Sequence, residues 1–182
     1  MNDLIAVHSP EVLREQLLEL VDPADQELVA GAVDFAMNAH ALQRRKDGTP
    51  YVLHPLRVAV RLAKDGYDNS NLLAIALLHD VIEDCEITRD ELAEAFSSLV
   101  ADGVQQLSKP RRSSDYFIEL QHASEQLKLI KIYDRLDNLA TMQPFSPEKR
   151  QQYINETETY FFDLSQFSPL LQEKLESAIS AW

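Results

Sequence analysis

The stretch Leu77-Leu78-His79-Asp80-Val81-Ile82-Glu83-Asp84 sets an imidazole and three carboxylates into otherwise apolar surroundings. Those side chains bind metal ions and move protons. At 3.6 residues per turn of helix, His79 stacks over Glu83 and Asp80 over Asp84, giving two polar columns about 100° apart. A charged pair in an apolar helix is costly unless something compensates it, and a bound cation is the direct compensation. One column end can then hold a metal while the next turn handles a water. A single His-Asp pair also occurs at the mouths of ordinary helix pairs, so other residues must decide.

Two more segments carry chemistry of the same kind. In Tyr51-Val52-Leu53-His54-Pro55-Leu56 the proline fits the first position of a helix and holds His54 at its start. Within Leu129-Ile130-Lys131-Ile132-Tyr133-Asp134-Arg135-Leu136-Asp137-Asn138, Asp134 and Asn138 fall one turn apart among apolar neighbours. Together His54, His79, Asp80 and Asp134 form a mixed nitrogen and oxygen set suited to manganese, iron or zinc, and ligand chemistry alone does not choose among these. Arg44-Arg45-Lys46-Asp47-Gly48-Thr49-Pro50 concentrates cations in a turn. Taken alone that run reads as solvated surface, but it stands out because the chain carries 30 acids against 17 Lys and Arg, a formal net charge of −13. Such a surplus repels nucleic acid and leaves room for a small phosphorylated ligand where cations gather.

These residues need a frame, and 182 residues suffice for one domain with a sizeable core. Only 4 glycines and recurrent helix starts predict an all-helical fold. Ser9-Pro10 opens a helix through Leu20, and Asp22-Pro23 opens another to about Gln43, with His40 in a structural place near its end. Pro55 to about Ala63 forms the next, presenting Arg57 and Arg61 outward. Asn71 to Ile82 reads as one buried helix capped by Ser70 and ending near Cys85. Thr88-Arg89-Asp90-Glu91 is a capping box. Ser108-Lys109-Pro110-Arg111-Arg112-Ser113-Ser114 reads as a basic connector, and Phe117 to Met142 as a single long helix. Ser146-Pro147 and Ser168-Pro169 start the last two helices, with Tyr153, Tyr160, Phe161 and Phe162 assigned to the core. The single cysteine excludes an internal disulfide and a cysteine zinc cluster. An N-terminus without a basic start and apolar run, and the lack of any apolar stretch near 20 residues, predict a cytoplasmic protein with no membrane partner.

In order, His40, Arg45-Lys46-x-Gly48, Pro50-Tyr51, His54-Pro55-Leu56, Leu78-His79-Asp80-Val81-Ile82-Glu83-Asp84 and Lys131-x-x-Asp134-Arg135-Leu136-x-Asn138 resemble the HD-domain hydrolases of the RelA/SpoT homologue family, which degrade the alarmone (p)ppGpp. The similarity runs collinearly from about Phe35 to Thr141, with a fainter echo at Ile154-Asn155-Glu156-Thr157. The resemblance implies a single HD-domain helical bundle over 1–182 with a family-like core at about 22–165. It also implies manganese held by His54, His79, Asp80 and Asp134, and water handled by Glu83 and Asp84. Arg45 and Lys46 would meet the nucleotide, and Asn138 and Thr141 would help seat it. The family carries Gly before the position of Gln43, Ser at Asp47, Ala at Tyr133 and His at Asp137, so the chain departs from the pattern there. There is no room for the synthetase domain of long members, and the chain resembles the small, hydrolase-only ones.

Manganese-dependent removal of the 3′-pyrophosphate of ppGpp or pppGpp, leaving GDP or GTP and pyrophosphate, is the activity this implies. A divalent ion polarises phosphorus and lowers the pKa of bound water toward about 7 in the zinc case, and an acidic pair one turn away can accept the proton. Acids so close titrate together, which leaves open which of the two is the base. Asp47 beside a phosphate site motivates a second reading, an HD-fold hydrolase acting on an adenosine alarmone or the ribose phosphate of NADPH. A third is a non-catalytic nucleotide-binding regulator; Glu83 and Asp84 count against it, because binding phosphate needs no extra anions. Sequence says nothing of oligomeric state.

Overall fold

Oxygen-bearing side chains write most of the helix starts in this chain. The structure is a computed structural model and describes residues 5–6, 9–108 and 116–182. Helix α1 (Pro10–Leu20) begins under Ser9, whose hydroxyl accepts from the Val12 amide, and buries Leu13 and Leu17. Helix α2 (Gln26–Ala39) starts three residues later than Asp22-Pro23 suggests and ends four before Gln43, because Asp22 to Asp25 form a turn and His40 leaves the helix. Helix α3 (Leu53–Lys64) is buried along all but its last residue. Helix α4 (Ser70–Leu78) is apolar all round and packs against α2, α3 and later helices. Its cap is Asn69, which accepts from the Leu72 amide, while Ser70 instead donates to Asp25.

The long buried helix expected from Asn71 to Ile82 is broken. It stops at Leu78, turns through His79-Asp80, and resumes as the single turn α5 (Val81–Asp84). His79 Nδ1 donates to the Ala76 carbonyl at 2.7 Å, the acceptor that a continuing helix would reserve for the Asp80 amide. Helices α6 (Arg89–Ala95) and α7 (Ser98–Leu107) follow, α6 under the expected Thr88–Glu91 capping box. The basic connector lies, from residue 109 on, outside the described residues.

A second expected long helix is also two. Helix α8 (Tyr116–Gln121) stops, and Ser124 caps α9 (Glu125–Ala140) by accepting from the Leu127 amide. Helix α10 (Pro147–Glu156) runs into a π-helical turn at Thr157–Phe161, then α11 (Phe162–Leu164) and α12 (Pro169–Ser180). That turn inserts a residue and rotates the following face. Phe161 alone of the four expected aromatics is therefore fully buried; Tyr153, Tyr160 and Phe162 are half-buried. The fold is all-α, with no strand among the described residues, and α3 lies between α1, α4 and α9 at its centre. Among those residues no helix is long and apolar enough to cross a membrane.

Candidate metal and phosphate site

His54 enters from the first turn of α3, His79 and Asp80 from the break between α4 and α5, and Asp134 from the middle of α9. The break matters because adjacent residues of a regular helix diverge by about 100°. Unwinding there lets both His79 and Asp80 reach one point, with His79 Nε2 at 3.1 Å from Asp80 Oδ2. His54 Nε2 lies 3.8 Å from the same oxygen and 3.1 Å from Asp134 Oδ1, which is 4.0 Å from His79 Nε2. One donor atom each from His54, His79 and Asp80 falls within 4.8 Å of the others.

Both histidines are locked by their other nitrogen. The Nδ1–H of His54 donates to Asp137 Oδ2 at 2.7 Å, and that of His79 to the Ala76 carbonyl at 2.7 Å. Each acceptor can only accept, so both Nε2 atoms face the carboxylates. His79 Nε2 is buried and makes no hydrogen bond despite the nearby Asp80 oxygen. An orphaned buried nitrogen facing two acids fits a divalent cation with imidazole and carboxylate donors. Charges respond accordingly. Burial opposes protonating His79, but Asp80 and then Asp134 outweigh it and lift its pKa to about 9. Burial likewise works against ionised Asp80, yet His79 holds that carboxyl well below the usual range; Lys131 does the same for Asp134.

Above these groups opens a cavity of about 370 Å³, lined by Arg44, Arg45, Lys46, Tyr51, His54, Asp80, Glu83, Lys131, Asp134, Arg135 and Asn138, with aromatic rings around them. Its volume suits a small ligand. The Arg45-to-Thr49 turn projects the cations. Its Gly48 amide donates to the Arg45 carbonyl, and Gly48 has φ of 85°, a conformation costly for any residue with a Cβ. Asp47 Oδ1 accepts from the Thr49 amide and hydroxyl, so this acid is spent on the turn. Arg45 donates to Asn138 Oδ1 and Thr141 Oγ1, both at 3.0 Å, which joins three residues expected to meet the nucleotide. Lys46 Nζ sits 4.4 Å from the centre of the Phe145 ring. Glu83 is on the cavity wall; Asp84 and Thr141 are not, and His79 lies buried behind Asp80. Burial, and then Asp80, raises the Asp84 carboxyl above its ordinary value.

Several residues at the site carry no role on sequence grounds. Tyr51 donates to Asp80 Oδ2 at 2.7 Å; burial and then Asp80 push its phenol far up, so it stays a donor. Lys131 pairs with Asp134 at 2.8 Å, a spacing of three that was visible in the sequence. Arg135 lies 4.6 Å from the Tyr153 ring centre and 4.3 Å from that of Phe161. Arg57 and Arg61, expected to face outward, are buried and close on Asp137, because a buried acid on α9 repays their desolvation where water would otherwise have done so. His40, expected as a cation in the last turns of α2, instead caps that helix: it is buried, which lowers its pKa, and its Nδ1 lies 2.8 Å from Gln43 Oε1.

Comparison with known proteins adds to this geometry. The HD domain family profile matches residues 32–166. Guanosine-3′,5′-bis(diphosphate) 3′-pyrophosphohydrolase of Aquifex aeolicus is 37% identical over 80% of this chain, which spans only 22% of that protein. The enzyme of the same name designated MESH1 from Danio rerio is 34% identical over 79% of this chain and 88% of its own length. A solved structure, described as a metazoan ortholog of SpoT that hydrolyzes ppGpp and plays a role in starvation responses, superposes with a TM-score of 0.76 at 26% identity. It covers 88% of this chain and 96% of its own.

Proposed function

This chain belongs to the HD-domain family, and on that premise we propose that it hydrolyses guanosine 3′,5′-bispyrophosphate. Water adds to the phosphorus attached to the 3′ oxygen, the bond to that oxygen breaks, and GDP and pyrophosphate leave; pppGpp gives GTP. The observation that carries the proposal is the pair of imidazoles, both fixed through Nδ1, facing Asp80 and Asp134 beneath a cavity walled by cations. His54, His79, Asp80 and Asp134 would hold the divalent ion, and manganese suits their mixed donors. When bound, that ion supplies Lewis-acid polarisation at phosphorus and acidifies water.

The chain's own residues do the rest. Arg45 and Lys46 bind phosphate oxygens, and Asn138 and Thr141 steady the Arg45 guanidinium that meets them. Glu83, on the cavity wall, takes the proton of the attacking water, and Asp84 follows it in the same turn with a raised pKa suited to passing a proton on. Asp47 no longer favours another nucleotide, since its carboxylate serves the turn. The test is turnover of ppGpp by purified protein with manganese, beside an adenosine alarmone and NADPH. Stoichiometric GDP and pyrophosphate, absent with His79→Ala, is the expected result; no product above that variant's background, or faster turnover of another nucleotide, overturns the proposal.

A further inference from the structure

Asp137 stands on α9 with no exposed surface at all. Its Oδ2 accepts from His54 Nδ1 at 2.7 Å and from an Arg57 terminal nitrogen at 2.9 Å. Its Oδ1 accepts from Arg57 Nε at 2.8 Å and from Arg61 at 2.5 Å. We propose that Asp137 is a positioning residue: held by Arg57 and Arg61, it fixes the ring and the tautomer of His54 so that Nε2 is bare toward the ion site. The inference rests on the reading of His54 as a metal ligand.

A neutral imidazole can carry its proton on either nitrogen, and only one choice leaves Nε2 able to bind a metal. A carboxylate cannot donate, so the proton stays on Nδ1. Two guanidinium groups hold that carboxylate, so Asp137 is fixed in place and orients the ring it accepts from. Stability alone does not account for the arrangement, because a buried ion cluster seldom outperforms apolar packing of the same volume. Partners of this kind behind a ligating histidine change metal affinity by about 10- to 100-fold.

Asp137→Asn separates orientation from mere filling. The amide oxygen goes to the position that both arginines share, which turns its NH2 toward His54 Nδ1 and forces the opposite tautomer. Zinc, which is diamagnetic, is titrated against a competing chelator in wild type, His54→Ala and Asp137→Asn, and histidine ¹⁵N spectra are taken of each. Wild type is expected to show the His54 proton on Nδ1, and Asp137→Asn to bind zinc about 10- to 100-fold more weakly with that signal lost. A wild-type proton on Nε2, or unchanged affinity in folded Asp137→Asn, overturns the proposal. If Asp137→Asn does not fold, the wild-type tautomer decides alone. Zinc uptake by His54→Ala equal to wild type would instead overturn the ligand reading of His54, and the proposal with it.

Discussion

Glu83 and Asp84 are neighbours of one type with different surroundings. Both are exposed, but only Glu83 lines the cavity, whereas Asp84 sits near Tyr51 and His40, where desolvation and then Asp80 raise its pKa. Glu83→Gln is therefore expected to lower kcat by about 10²- to 10⁴-fold while metal content stays at wild-type level. Steady-state rates with metal analysis of the same sample check this, and a larger loss in Asp84→Asn would transfer the role. His54, His79, Asp80 and Asp134 stood out as candidates by type and spacing, but each alone also fits a structural role, and the ordered motifs of the family resemblance were needed to join them. The role of Asp137 could not be read that way. It depends on Arg57 and Arg61, far away in sequence, and arginines with such long side chains read as surface residues until an acid is seen to face them.

Helix boundaries show the same division. Side chains that cap within three residues, such as Ser9, Thr88 and Ser146, were legible because their bonds are local. The breaks at His79-Asp80 and at Ser124 were not, since apolar periodicity continues across both; a His79 ring bond marks the first, and backbone turns followed by the Ser124 cap mark the second. Packing between elements is similarly silent in sequence. Helix α7 closes on α4 through Gly103, where a Cβ would fall 2.5 Å from Ile75 Cδ1 and 3.0 Å from its Cγ1. Gly103→Val is expected to destabilise the protein by about 1–3 kcal/mol, read from urea melts. A melt like wild type would mean that Ile75 swings aside freely. Since α4 delivers His79, that variant should also weaken zinc binding in the chelator titration.

Metal and proton compete for the molecule as a whole. Without metal, the His79 pKa near 9 exceeds its unfolded value of about 6.5. A raised folded pKa means stabilisation that is full below about 6.5 and lost as pH rises through 9. The melting temperature of chelator-treated protein should fall over that window. Metal at 100 times its Kd should restore about 2.7 kcal/mol, or roughly 5–10 °C for a chain of this size. Calorimetry at pH 6.5 and 9, with and without manganese, measures both, and a pH-independent metal-free melt would contradict the His79 assignment. Charge has one more effect. Among the described residues five cations, namely Arg44, Arg45, Lys46, Lys131 and Arg135, line the cavity of a molecule with net charge −13. Screening confines their pull to about 8 Å at physiological salt. A compact polyanion fits inside that reach, whereas a nucleic-acid strand would extend its remaining phosphates over a molecule of net charge −13. On the proposed function the cavity is expected to act as a length gauge for anions, taking a nucleotide and not a polymer made of the same units.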